Sequence, residues 1–414
     1  MFAQDLQYRD LESYQRTASF TEVELRLELM LKEKSLIDFF EVHPDRLEVY
    51  SDDSKTNLEF TYYFGSGNSQ RTSFNSLKGL KVLIDPGHIG GDFAYEEDRY
   101  IEMLYDPSIT FKEGDLTLYS AHYLQDLLEA QGAIVQLTRD LVGHSGEKVT
   151  YDQFKQDKAL IAAAIDVVSE DALDKQWWLN NHNQTKYLDV LFTKFDYRMR
   201  ARRARSFKPD LSISIHYNAC FPRKVQTVDR GQIVYRDQTS NRNYHMAFVP
   251  GSYLDGELKH KRKRIELVRW LISGELEESI SLAHYFMEEV ANQTKVSVVE
   301  DLAELDYLND HRTDDQVSNN YEQNYLRRSS QPIGTQNGKD LYGVFSRNLY
   351  INHYAGASIM GETFCQEAEH LNLYKKDFTV RGNQTSSRVK DAAEAYFQAI
   401  KKWAKDPLIK FEKL

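Results

Sequence analysis

Short apolar runs that stop at polar or glycine-rich turns recur along the chain, alternating with stretches of helical period. Val82-Leu83-Ile84 breaks at Asp85-Pro86-Gly87, and His88 follows at once. Ala133 to Thr138 runs out into Arg139-Asp140, Leu211 to Ile215 into His216, and Ala357 to Gly361 into Glu362. Each reads as a strand buried on both faces and ending in a turn. Between the first two runs, Leu116, Tyr123, Leu124, Leu127 and Leu128 mark an amphipathic helix that Gly132 is placed to stop. Strand, helix and strand in that order predict a parallel pair. Further helices are predicted over Lys158–Val168, Glu275–Val290 and Ser387–Ala404, the last covering one face of the sheet.

Residues 1–78 read differently, as a small α+β module with a polar linker over 65–76. Thr21 and Glu24 have capping-box spacing, and Leu25, Leu27, Leu29, Met30, Leu31, Leu36 and Ile37 continue the helix. Leu47–Tyr50 and Leu58–Tyr63 alternate as strands, and no chemistry is visible there. Asp92–Phe111 reads as a long loop and Asn309–Lys339 as another, with a strand at Gly231–Tyr235 and a helix over Gln366–Leu373. Arg198, Arg200, Arg202, Arg203 and Arg205 read mostly as the exposed face of a helix.

Composition narrows the function classes. A net charge of -11 argues against a nucleic-acid or anionic-membrane footprint. The basic run Lys259–Arg264 is local, lacks interleaved aromatics and reads as a solvated helix face. No apolar run approaches the roughly 20 residues needed to span a bilayer, and no signal-peptide pattern is visible at the start. Two cysteines make no disulfide scaffold. Cys220 and Cys365 each follow a candidate site residue closely, so a bond between them is conceivable if their strands are neighbours. Two free thiols are the simpler expectation.

The chemistry lies at the strand ends. A histidine there is ordinarily satisfied by a backbone carbonyl, and a helix-start glutamate such as Glu113 ordinarily just favours the dipole, by about 0.3–1 kcal/mol. Two histidines, His88 and His216, at the ends of two strands with Glu113 nearby make a catalytic zinc set with a fourth position open to water. Glu362, at a third strand end, suits a general base; the plain alternative is a surface cap for the next helix.

From about Leu80 to Trp403 the chain resembles the zinc-dependent N-acetylmuramoyl-L-alanine amidases of the Amidase_3 type. The resemblance rests on Ile84-Asp-Pro-Gly-His88, Lys112-Glu113, Leu137-Thr-Arg-Asp140, Ser212-Ile-Ser-Ile-His-Tyr-Asn218 and Ile359-Met-Gly-Glu362. It implies an α/β fold with a twisted, mostly parallel sheet flanked by helices. It implies Zn2+ on His88, Glu113 and His216, with Glu362 as the catalytic glutamate. Peptidoglycan would be the substrate, in the cell envelope, periplasmic or secreted. The catalytic domain would span 79–406, with insertions at about 141–197 and 222–344 that shape a groove or block the zinc until an activator protein acts. The chain departs from the family pattern at Ile89, where glycine is usual, and at Tyr217 and Thr363-Phe-Cys365. Its path from His88 to the glutamate is also long, bringing Glu96, Glu97 and Glu102 into competition with Glu113. Two other classes stay open: a zinc peptidase or amidase on another amide, and an inactive wall-binding or regulatory protein of the same fold.

Overall fold

A computed structural model describes residues 6–30, 38–67, 74, 76–102, 110–169, 172–217, 223–229, 231–238, 243–251, 253, 257–296, 329–336, 339–346, 356–364 and 372–405. Cys220, Cys365 and residues 31–37, 297–328 and 365–371 lie outside them, and with them the thiol question and most of the helix expected over Gln366–Leu373.

Helix α1 (Phe20–Met30) has its cap two residues earlier than expected. Ser19, not Thr21, forms the box: the Glu22 N–H donates to Ser19 Oγ at 3.3 Å, and the Ser19 N–H to Glu22 Oε2 at 2.6 Å. Both registers carry the same spacing, and the edge-on contact of Phe20 with Phe64 at 5.6 Å favours the earlier one. Strands β1 (Phe40–Val42), β2 (Arg46–Tyr50) and β3 (Leu58–Tyr63) follow as an antiparallel sheet. Next come β4 (Lys81–Pro86), then a hairpin of β5 (Tyr100–Glu102) and β6 (Thr110–Lys112) where a plain loop was expected. Then come α2 (Glu113–Glu129) and β7 (Ile134–Leu137).

A run of helices follows: α3 (Tyr151–Gln156), α4 (Lys158–Val168), α5 (Ala172–Asn181) and α6 (Thr185–Phe207). After β8 (Leu211–Tyr217), strands β9 (Arg223–Asp229) and β10 (Gln232–Gln238) pair as a hairpin. The chain continues through β11 (Met246–Pro250), α7 (Lys261–Ser273) and α8 (Glu275–Thr294). It ends with β12 (Ser329–Gln336), β13 (Lys339–Ser346), β14 (Ala357–Thr363), the small hairpin β15 (Phe378–Val380) and β16 (Asn383–Thr385), and α9 (Ser387–Lys405). Strand β12 falls inside the tract read as a loop; antiparallel pairing with β13 supplies the order that its composition does not signal.

Seven strands form the central sheet, in the order β12-β13-β11-β14-β8-β4-β7. From β7 through β4 and β8 to β14 the pairing is parallel; β11 then runs antiparallel to β14 and parallel to β13. The mixed α/β architecture with a mostly parallel sheet is therefore the expected one. Val82, Ile84, Leu211, Ile213 and Ile215 pack with Leu116, Leu124 and Leu128 of α2 and with Val389, Ala393 and Ile400 of α9 in one hydrophobic cluster.

The N-terminal part shares that cluster. Leu11, Val23, Leu47 and Phe60 belong to it together with Val268, Leu271 and Leu276. Arg26 donates to Glu277 at 2.5 Å and to the Leu271 carbonyl at 2.6 Å. Arg264 turns inward to Glu59 at 2.9 Å, so the basic run before it is not wholly a solvated face. A second cluster joins Tyr151, Phe154, Ile161, Ile165, Trp178, Leu191, Phe192 and Phe195 of the helical run to Ile89 and Phe93.

Candidate metal centre

Strand β4 ends in a tight turn that presents His88. The Gly87 N–H donates to the Ile215 carbonyl at 2.9 Å, tying the turn to β8. A Cβ on Gly87 would lie 2.4 Å from the His216 ring, so only glycine lets the two imidazoles meet, edge-on with centroids 5.0 Å apart. His88 itself has φ 57°, a left-handed conformation that costs a side-chain-bearing residue roughly 1–2 kcal/mol.

Helix α2 starts at Glu113, and Gly114 allows that start to approach the ligand turn. A Cβ there would sit 2.3 Å from the Gly90 nitrogen. The Glu113 N–H donates to the Arg99 carbonyl at 3.1 Å, and the Asp115 carboxylate accepts from the Gly91 N–H at 2.7 Å. Both carboxylates sit in the first turn, where the helix dipole favours them. Glu113 Oε2 lies 3.2 Å from His88 Nε2, and Oε1 lies 3.0 Å from His216 Nδ1 and 3.1 Å from the Tyr217 N–H. Burial would raise the Glu113 carboxyl, yet His88, His216 and Arg99 hold it well below the usual carboxylate range. Burial would lower the His216 imidazole, yet Glu113 and Glu362 raise it.

One ligand atom from each of His88, Glu113 and His216 can be chosen so that all lie within 4.8 Å of one another. Zinc bonded at about 2.0–2.1 Å in a tetrahedron sets its ligand atoms about 3.3 Å apart. The separations of 3.0 and 3.2 Å, one to each oxygen of Glu113, are close to that spacing, and two imidazoles with one carboxylate are the chemistry zinc takes. Another grouping, Glu41, His43 and Glu48, is less open, because Glu48 already accepts from Arg46 at 2.7 Å and Tyr50 at 2.6 Å.

Glu362 stands beside His216 in the parallel register of β14 with β8. In each of these strands it is this one position that escapes full burial. Glu362 thus shares a face with His216 at the mouth of the sheet. The competing carboxylates separate: Glu96 is exposed, whereas Glu97 turns inward and approaches His88 from the side opposite Glu113.

A buried polar layer beneath the site holds both ligand segments. Thr138 donates to Asp85, and Arg139 reaches the carbonyls of Gly87 at 3.0 Å and Gly114 at 2.5 Å. That bond pair stitches the His88 turn to the start of α2. Burial, with Arg200 nearby, pushes Arg139 down to about 9. Arg200, from α6, donates to Asp196 at 2.7 Å, Asp85 at 3.1 Å, the Pro86 carbonyl at 2.7 Å and the His88 carbonyl at 3.0 Å. The expectation that the α6 arginines are mostly solvated fails here: Arg200 is buried, and Arg203 reaches the carbonyls of Thr138 and Gly146. The signal present in the sequence is the spacing of Asp196 and Arg200, one helical turn apart.

A family model described as N-acetylmuramoyl-L-alanine amidase matches residues 82–331, a span that contains His88, Glu113 and His216 and ends before Glu362. Several solved structures are similar at low identity. CwlD amidase from Clostridioides difficile, solved in complex with the GerS lipoprotein, is 14% identical over 78% of this chain and 98% of its own, with TM-score 0.37. Ami1 from Mycobacterium smegmatis is 12% identical over 80% and 99%, with TM-score 0.37. AmiC2 of Nostoc punctiforme is 14% identical over 79% and 98%, with TM-score 0.36. Among curated proteins, none matches the chain.

Proposed function

Because the chain belongs to the Amidase_3 family of N-acetylmuramoyl-L-alanine amidases, we propose that it hydrolyses the amide joining the lactyl group of N-acetylmuramic acid to L-alanine in peptidoglycan. The observation that carries this reading is the convergence of His88 and His216 on the Glu113 carboxylate, at 3.2 and 3.0 Å. These three residues would hold zinc, which when bound lowers the pKa of water toward ~7 and polarises a carbonyl. Glu362 is the general base: it takes the proton of the attacking water and returns it to the leaving amine of L-alanine. Its place across from His216 supports that role.

The catalytic domain is residues 79–406, and residues 1–78 are a module packed on α7. Action is on the wall, outside the cytoplasm; among the described residues no helix is long and apolar enough to cross a membrane.

Purified protein should retain zinc and release free stem peptides beginning with L-alanine from peptidoglycan. A chelator should stop the release and added zinc restore it. Glu362→Gln should abolish turnover with zinc stoichiometry unchanged; normal cleavage by that variant refutes the assignment of the base. Zinc without cleavage of peptidoglycan moves the site to a different amide. Neither zinc nor cleavage makes the chain a wall-binding protein.

A further inference from the structure

The chain places a second carboxylate against His88. Glu97 Oε1 lies 3.7 Å from His88 Nδ1, while His88 Nε2 faces Glu113 at 3.2 Å. Glu97 is held in place from both ends. Its other oxygen accepts the Ile89 N–H at 3.1 Å, and its own N–H donates to the Phe93 carbonyl at 3.0 Å. Its side chain is only 6% exposed. Phe93 is in turn fixed in the helical cluster, 5.0 Å from Phe192 and 4.9 Å from Tyr151.

We propose that Glu97 is a positioning residue for the metal centre: when zinc binds it closes the 3.7 Å gap to His88 Nδ1 and accepts that nitrogen's proton, fixing the tautomer and ring angle that leave Nε2 to the metal. The inference rests on the zinc reading above. A metal-bound imidazole almost always gives its other N–H to a carboxylate, carbonyl or water. The carboxylate on the Nδ1 side of His88 is Glu97. One carboxylate oxygen already accepts the Ile89 N–H and the other faces Nδ1, so the group is placed to accept. Neutral Nδ1–H also leaves Nε2 with the lone pair that zinc requires. Glu97 thus carries the helical run's packing, through Phe93, to the metal-binding ring.

The test uses the full-length chain with zinc and cobalt as probes. Glu97→Gln and Glu97→Ala should weaken zinc, measured by competition with a chromogenic chelator, by about 10–100-fold. Alanine should cost more than glutamine, whose amide oxygen still accepts. The visible spectrum of the cobalt-loaded Glu97→Gln protein should differ from wild type, a readout that a merely structural role would not move. The metal-free variant should melt where the metal-free wild type does, and exposed Glu96→Gln should bind zinc as wild type does. Zinc affinity of Glu97→Gln within about twofold of wild type, with an unchanged cobalt spectrum, overturns the proposal alone. A wild-type chain that takes up no zinc overturns the reading of the site and this proposal with it.

Discussion

Replacing Arg200 with methionine removes one buried cation and leaves its two anionic partners in place. The side chains of Arg200, Asp85 and Asp196 are 1%, 9% and 0% exposed, so neither carboxylate can turn to water. Asp196 would keep the Gly146 N–H at 2.6 Å, and Asp85 would keep Thr138 and Ser214. Removing one partner of a buried pair costs about 3–5 kcal/mol, because the partner charge stays uncompensated. An internal control is Lys148→Met, which breaks the pair with Asp140 whose side chains are 58% and 41% exposed. That change should cost less than about 1 kcal/mol. Urea unfolding in chelator, followed by tryptophan fluorescence, gives both losses from midpoint and slope. Adding Asp196→Asn to Arg200→Met should recover part of the loss by neutralising one orphaned charge. A loss for Arg200→Met no larger than that of Lys148→Met would refute the claim that this layer holds the ligand turn.

Gly87→Ala should lower zinc content sharply, because the new methyl would meet the His216 ring at 2.4 Å and push it off Glu113; a full zinc complement measured by metal analysis would contradict the packing. His245 offers a pH test. Burial, with Arg388 nearby, pushes its imidazole down to about 3, and Nε2 meets Thr294 Oγ at 2.8 Å. The unfolded chain takes up that proton near the ordinary value of about 6.5. The unfolded state therefore binds more protons below that pH. His245 contributes fully above about 6.5, and stability falls as pH drops toward 3, by at most about 1.4 kcal/mol per pH unit. Urea midpoints across that interval should decline less steeply in His245→Gln; parallel declines would remove His245 as the cause.

The residues of the candidate metal centre could be picked out because their signal is local. An apolar strand that stops at a histidine, or a carboxylate that opens an amphipathic helix, can be read without knowing what lies across the sheet. His88, Glu113 and His216 meet as that reading required, and Glu362 falls in register with His216. What holds them was legible only in the spacing of Asp196 and Arg200, because hydropathy places arginines in solvent. Arg200 is inside because Asp196, Asp85 and the free carbonyls of the β4 turn collect at one point, a coincidence that only tertiary structure creates. Glu97 was one of three glutamates in a stretch read as a plain loop. The short pairing of β5 with β6 and the turn at Gly91–Ala94, which bring it round to His88, follow from contacts rather than propensity. The basic run ending at Arg264 misled for the same reason, since its partner Glu59 lies on β3.

Ile89 stands one residue past His88, and it is 1% exposed inside the helical cluster. The consequence is a coupling between two separate parts of the chain. Glycine at this place would take a buried side chain out of the helical run's core; deletion of the helices would strand Ile89 and Phe93 in water beside His88. A substitution at position 89 and a change in the helices that cover it therefore cannot be made independently.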